Sequence, residues 1–251
     1  MRKQIIIANW KMNPRTAKET KNIFERIKNA SKKYQRVEVV VTPPHIYLPL
    51  IKAGSRIKLG AQDIFFKDEG PFTGEISAGM LKDSGVSYVL IGHSERRELG
   101  ETLETVRKKI YQAASKGFRA VLCVGEKEKN QEAFPVMVKE EIISALKGVP
   151  RRLASKTIIA YEPVWAISSH SGGKSDTPQN FFEMSIYIRR ILLDIWGKNA
   201  ALRIPIIYGG SVNSKNVKGF LDVKGASGVL VGKASLNPAE FIKILEIADK
   251  K

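Results

Sequence analysis

The 251 residues, 43% of them apolar, suffice for one large core, and no apolar run approaches the ~18 residues of a membrane span. A net charge of +17 favours anionic partners, but the Lys and Arg residues are dispersed. The densest cluster, RIKNASKKYQR at 26–36, lies on and after a helix, and no long basic tail or aromatic-interleaved stripe appears, so a solvated basic surface is favoured over nucleic-acid binding. The single Cys123 cannot close an internal disulfide, which fits a reducing compartment. The apolar stretch near the N-terminus is too short for a signal-peptide core, so a cytoplasmic, membrane-free protein is expected.

Short β-branched runs recur along the chain: QIIIAN (4–9), VEVVVT (37–42), IKLGAQ (57–62), YVLIGH (88–93), AVLCVG (120–125), TIIAYE (157–162), IPIIYG (204–209) and GVLVG (228–232). Most are continuous rather than alternating, as parallel strands covered on both faces read. Helical patterns lie between them. Leu103, Val106, Ile110 and Ala114 follow helical spacing up to a stop at Gly117. Thr177 is a good N-cap with Pro178 at the first helical position, ahead of a stripe of Phe181, Met184, Ile188, Ile191 and Ile195 that Gly197 closes. Asn237, Pro238 and Glu240 begin a last helix. Repeated strand-helix units with no linker or composition shift predict an α/β chain forming a single (β/α)8 barrel over residues 1–251. A doubly wound open sheet is the main rival.

Active sites of such barrels lie at the C-terminal strand ends. Those ends here read Asn9 with Lys11, His93, Glu162, Tyr208-Gly209-Gly210-Ser211 and Gly232-Lys233, polar or glycine where the strand bodies are apolar. The glycines after the seventh and eighth strands let backbone N–H groups approach a phosphate, although glycine also serves ordinary turns. Glu162 suits a base and His93 a hydrogen-bond donor beside the fixed charge of Lys11. Each alone reads as well as an ion-pair partner or a structural histidine. Cys123, among apolar neighbours, reads as a packed strand residue. There is no clustered His/Cys metal set and no GxGxxG nucleotide loop, so neither metal nor organic cofactor is expected.

ANWKMN (8–13), IGHSERR (91–97), AYEPVWAI (160–167), YGGSVN (208–213) and VGKASL (231–236), with GAQD (60–63), FTGE (72–75) and CVGE (123–126), occur in an order and spacing that resembles the triosephosphate isomerase family over nearly the whole chain. The resemblance implies a TIM barrel that interconverts dihydroxyacetone phosphate and D-glyceraldehyde 3-phosphate through an enediol(ate), in glycolysis and gluconeogenesis. It implies Glu162 as base, neutral His93 as electrophile, and Lys11 and Asn9 at the substrate oxygens. It places the phosphate on the backbone of Ser211, Gly232 and Lys233. Glu95, Cys123, Tyr208 and Trp165 fall behind the reacting groups or on a flexible lid. Thr73 falls on a loop that enters the partner of a homodimer.

The lid departs from the family pattern A-I-G-T-G-K-[TS]-A-T-P. Here Ala166-Ile167 is followed by SSHSGGKSDTP, about three residues longer at the tip. The tip contact to phosphate therefore falls on Gly172, Ser168 or Ser171. His170, in the added stretch, reads as a solvated loop residue, and Asp176 stands where a small hinge residue is usual. Two other readings remain open: a different phosphosugar isomerase on the same barrel, and a barrel without turnover whose basic surface binds polyanions.

Overall fold

The computed structural model describes residues 3–128, 134–167 and 176–251. Strands β1 (Gln4–Asn9), β2 (Val37–Thr42), β3 (Ile57–Ala61), β4 (Val86–Ile91), β5 (Arg119–Val124), β6 (Thr157–Tyr161), β7 (Ile206–Tyr208) and β8 (Ala226–Val231) form a closed barrel in sequence order. Every neighbouring pair is parallel, and β8 closes on β1. The architecture is a (β/α)8 barrel; the open sheet is ruled out by the β1–β8 pairing.

The continuous apolar runs resolve into two alternating sets. Ile5, Ile7, Val40, Leu90, Val121, Cys123, Ile158, Ala160 and Leu230 pack in the barrel interior. Their neighbours Ile6, Ala8, Val39, Val41, Val89, Ile91, Leu122, Ile159 and Val231 join the larger core beneath the helices. Successive strand side chains point to opposite faces, so both faces need apolar residues and the run loses its visible alternation.

The surrounding helices are α1 (Ala17–Ser31), α2 (Ala78–Asp83), α3 (Ser94–Glu98), α4 (Leu103–Ser115), α5 (Val136–Leu146), α6 (Pro178–Trp196), α7 (Lys198–Ala201), α8 (Val217–Asp222) and α9 (Pro238–Asp249). The expected caps form. Thr177 Oγ1 accepts the Asn180 N–H at 3.1 Å, and Asn237 Oδ1 accepts those of Ala239 and Glu240 at 3.0 and 3.3 Å. In α6, Phe181, Met184, Ile188 and Ile191 are buried as the spacing predicts, with Ile195 packed at the margin.

Only β1 and β2 keep the bounds read from the sequence; the other six strands shift by one or two residues at one end or both, and two of the shifts have a clear cause. β4 ends at Ile91, because Gly92 turns the chain with φ of 72°. His93 therefore starts the following helix rather than ending a strand. β7 begins only at Ile206, since Pro205 has no N–H to give a ladder.

Candidate active site

The C-terminal strand ends surround a cavity of about 610 Å³ lined by Asn9, Lys11, His93, Glu95, Glu162, Ser211, Gly232 and Lys233, among others. Residues from five segments far apart in the sequence thus meet in one place. Cys123, Trp165, Tyr208 and Thr73 do not line it. Ser168 and Gly172, together with Ser171 and His170, lie outside the described residues.

Lys11 follows β1 with φ of 51°, a left-handed conformation that costs a non-glycine residue about 1 kcal/mol or more. Its surroundings hold it there. Asn9 Oδ1 accepts the Lys11 N–H at 3.1 Å, and the Gln62 amide donates to the Lys11 and Thr42 carbonyls, each at 2.9 Å. The side chain then reaches Glu95, with Nζ 2.5 Å from Oε1.

His93 caps α3 and is 7% exposed. Its Nδ1 accepts the Glu95 N–H at 3.2 Å, so that nitrogen carries no proton and Nε2 carries the only N–H of the ring. Nε2 lies 3.6 Å from Glu162 Oε1.

Glu162 follows β6 and is fully buried. Oε2 accepts the Ser94 N–H at 3.4 Å, whereas Oε1 has no hydrogen-bond partner among the described residues. A buried acceptor without a donor is costly, and this one belongs to a residue of the cavity wall. Two glycines make room for this residue. A Cβ at Gly209 would lie 2.7 Å from Glu162 Cγ, and one at Gly125 would lie 1.8 Å from the Glu162 carbonyl oxygen. Gly209 was read from the sequence as an approach for phosphate; the packing gives it the task of clearing the Glu162 side chain. Gly210 similarly clears the Tyr208 ring, where a Cβ would meet the hydroxyl at 2.2 Å.

Cys123 lies beneath Glu162 in the barrel interior, 1% exposed. Burial pushes its thiol well up, and the charge of Glu162 acts in the same direction. A raised thiol pKa and full burial both disfavour the nucleophilic thiolate.

After β8, Gly232 leads into a short 3₁₀ turn, Lys233–Leu236, closed by Ser235 donating to the Gly232 carbonyl from both N and Oγ at 2.9 and 2.7 Å. Ser211 donates through Oγ to the Ala166 carbonyl at 2.9 Å, and Asn216 Nδ2 donates to the Ser211 carbonyl at 2.9 Å. Ser211 thereby ties the loop after β7 to the segment after β6.

That segment is anchored by a residue the sequence reading left without a role. Glu126 Oε1 accepts from Trp165 Nε1 at 2.6 Å and from the Tyr161 hydroxyl at 2.9 Å, and the Glu126 carbonyl accepts the Val164 N–H at 3.0 Å. At the other end, Asp176 Oδ1 accepts the Thr177 N–H and the Asn180 amide, each at 2.8 Å, and the Tyr208 hydroxyl lies beside it. Burial pushes the Asp176 carboxyl up from 3.8 to about 6. A raised carboxylate favours the neutral form in the fold, so its stabilisation is complete below pH 3.8 and is lost as pH rises through about 6. Asp176→Asn is expected to remove that slope and gain about 1–2 kcal/mol above pH 6. Urea melts at pH 4, 5, 6 and 7 check this; parallel slopes in both proteins would refute it.

Gln62, Arg97, Glu126 and the Ser94 N–H were missed as site residues. The quoted motifs contain all four, but their roles depend on partners distant in sequence. Among the described residues, no group of three or more His, Cys, Asp or Glu could hold a metal ion, and no helix is long and apolar enough to cross a membrane.

Comparison with known proteins bears on this site directly. The chain matches the family model for triosephosphate isomerase over residues 4–248. It is similar to proteins named triosephosphate isomerase from Dictyoglomus turgidum (40% identical), Alkaliphilus oremlandii (39%) and Caldanaerobacter subterraneus subsp. tengcongensis (42%). Each alignment covers 98% of this chain and 99% of the relative. With the barrel closed and the family's strand-end motifs gathered around one cavity, the chain belongs to the triosephosphate isomerase family of enzymes.

Proposed function

We propose that residues 1–251 act as one (β/α)8 domain that interconverts dihydroxyacetone phosphate and D-glyceraldehyde 3-phosphate through an enediol(ate). The observation that carries this reading is the buried Glu162 Oε1, without a donor and 3.6 Å from His93 Nε2, on the wall of the cavity that Lys11 also lines. Glu162 takes the proton from the carbon next to the carbonyl and returns it to the neighbouring carbon. The His93 Nε2–H donates to the substrate oxygens as charge develops there, and Lys11 offsets that charge. Asn9 shapes the Lys11 backbone and lines the same wall. The phosphate lies against the backbone N–H groups of Ser211, Gly232 and Lys233, at the ends of β7 and β8. Proton transfer and charge stabilisation complete this reaction without an organic cofactor or metal.

A coupled assay with glyceraldehyde 3-phosphate tests the reading. Turnover in the wild-type chain that inorganic phosphate inhibits competitively supports it. No turnover, together with polyanion binding that weakens steeply with salt, would favour the non-enzymatic barrel. The reaction belongs to glycolysis and gluconeogenesis in the cytoplasm; cell fractionation that fails to recover turnover with the soluble contents would count against that placement.

A homodimer is also proposed. Met12 (93% exposed), Ile46 (76%), Phe72 (39%), Met80 (59%) and Leu99 (82%) lie in the segments following β1 to β4. Exposed apolar side chains on these segments offer a contact surface, although Phe134, Val136, Met137 and Ile143 are exposed around α5 as well. The exposed Thr73 lies on the segment after β3, at a turn where the Glu75 N–H bonds the Phe72 carbonyl. Sedimentation equilibrium is expected to give twice the chain mass of 27.9 kDa. A monomer at micromolar concentration would refute the assembly.

A further inference from the structure

Glu141 of α5 lies outside the substrate cavity, yet it is 6% exposed and reaches the ends of the strands. Its Oε2 accepts the Gly125 N–H at 2.9 Å, and Oε1 lies 3.3 Å from Arg97 Nε. The Arg97 guanidinium also donates to the carbonyls of Gly92, Cys123 and Gly125 at 2.5, 2.9 and 3.3 Å. Gly125 in turn rests on the main chain of Glu162, whose N–H donates to the Val124 carbonyl at 2.8 Å. A carboxylate and a guanidinium are thus buried where apolar side chains would pack at lower desolvation cost. Between them they fasten the turn after β4, the turn after β5 and, through Gly125, the residue after β6.

We propose that Glu141 is a positioning residue for Glu162: paired with Arg97 it fixes the Gly125 main chain beneath Glu162, and its charge is coupled to that of Glu162. The inference rests on the reading of Glu162 as the base. Burial pushes the Glu141 carboxyl up to about 7, against the opposing pull of Arg97 and the Gly125 N–H, while the charges of Glu162 and Glu126 push the same way as burial. The other charged groups around the neighbouring cavity of about 350 Å³ are Glu98 on α3, Glu101 between α3 and α4, Lys127 after β5, and Glu140 on α5 itself. The Glu162 main chain rests on the turn whose Gly125 N–H Glu141 accepts, and a charge on Glu162 disfavours the ionised form of Glu141.

Carbon-13 labelling of the glutamate carboxyls tests the coupling without turnover. The Glu141 signal is expected to titrate near pH 7 in the wild-type chain and about half a unit or more lower in Glu162→Gln, where the neighbouring charge is gone. Midpoints that agree within about 0.2 unit would overturn the coupling. In the coupled assay, Glu141→Gln is expected to lower kcat about five- to tenfold with KM changed less than about twofold, and to alter the pH profile of kcat between pH 6 and 8. An unchanged kcat and profile would overturn the positioning role. Should Glu141→Gln fail to fold, Arg97→Lys keeps the charge, loses the forked contacts and gives the same readouts. Absence of turnover in the wild-type chain would count against the isomerase reading, whereas an unshifted Glu141 midpoint counts against this one.

Discussion

Glu162→Gln is expected to lower kcat by about 10³- to 10⁴-fold while KM changes less than about threefold. The amide has nearly the same shape as the carboxyl group, so it fits the slot that Gly209 leaves open. Its oxygen can still accept the Ser94 N–H. What it lacks is basicity at the one oxygen that has no donor. Substrate therefore still binds through the rest of the cavity, and the loss falls on proton transfer. The fold should tolerate the change, because a neutral amide replaces a fully buried carboxylate. The coupled assay and a thermal melt measure both quantities. Residual turnover above a tenth of the wild-type value would remove Glu162 from the role of base.

Lys11→Met is expected to reduce kcat/KM by about 10²- to 10³-fold, the cost of deleting one preorganised charge from such a site. The backbone around residue 11 should survive, since its left-handed turn is held by Asn9 and Gln62 through main-chain groups that Met also has. Glu95, left without its ammonium partner, has a side chain 37% exposed and stays hydrated. Stability should therefore change by less than about 1 kcal/mol, as for other partly exposed ion pairs. The split between large kinetic loss and small stability loss is what separates a charge acting on substrate from one acting on the fold. A tenfold loss or less, or a loss matched by unfolding, would contradict this role.

The barrel was legible because parallel strands buried on both faces leave long β-branched runs, as QIIIAN and VEVVVT do. Its finer boundaries were less so. Gly92 and Pro205 shorten strands by backbone geometry, while the apolar pattern runs straight through them. The short helices α2, α3, α7 and α8 are too brief to show a stripe. The cavity residues stood out as polar groups at strand ends, and the resemblance assigned them roles. The residues behind them did not stand out. Gln62 bonds a carbonyl 51 positions away, and Glu126 meets Trp165 across 39. Glu141 looked like any charged residue on a helix; only its burial against Gly125 distinguishes it. Gly209, read from the sequence for its openness to phosphate, is also required by the carboxylate beside it, a demand that only the packing shows.

Helix α3 has a consequence for precision. Within its few residues, His93 caps it, Ser94 bonds Glu162, Glu95 holds Lys11, and Arg97 grips the turns after β4 and β5. Each group that the isomerase reading puts to work is thus tied to one short helix. A shift of that helix carries the histidine, the carboxylate and the ammonium along together, so displacement largely cancels in the distances between them. The site keeps its registration by sharing a datum rather than by holding each part still.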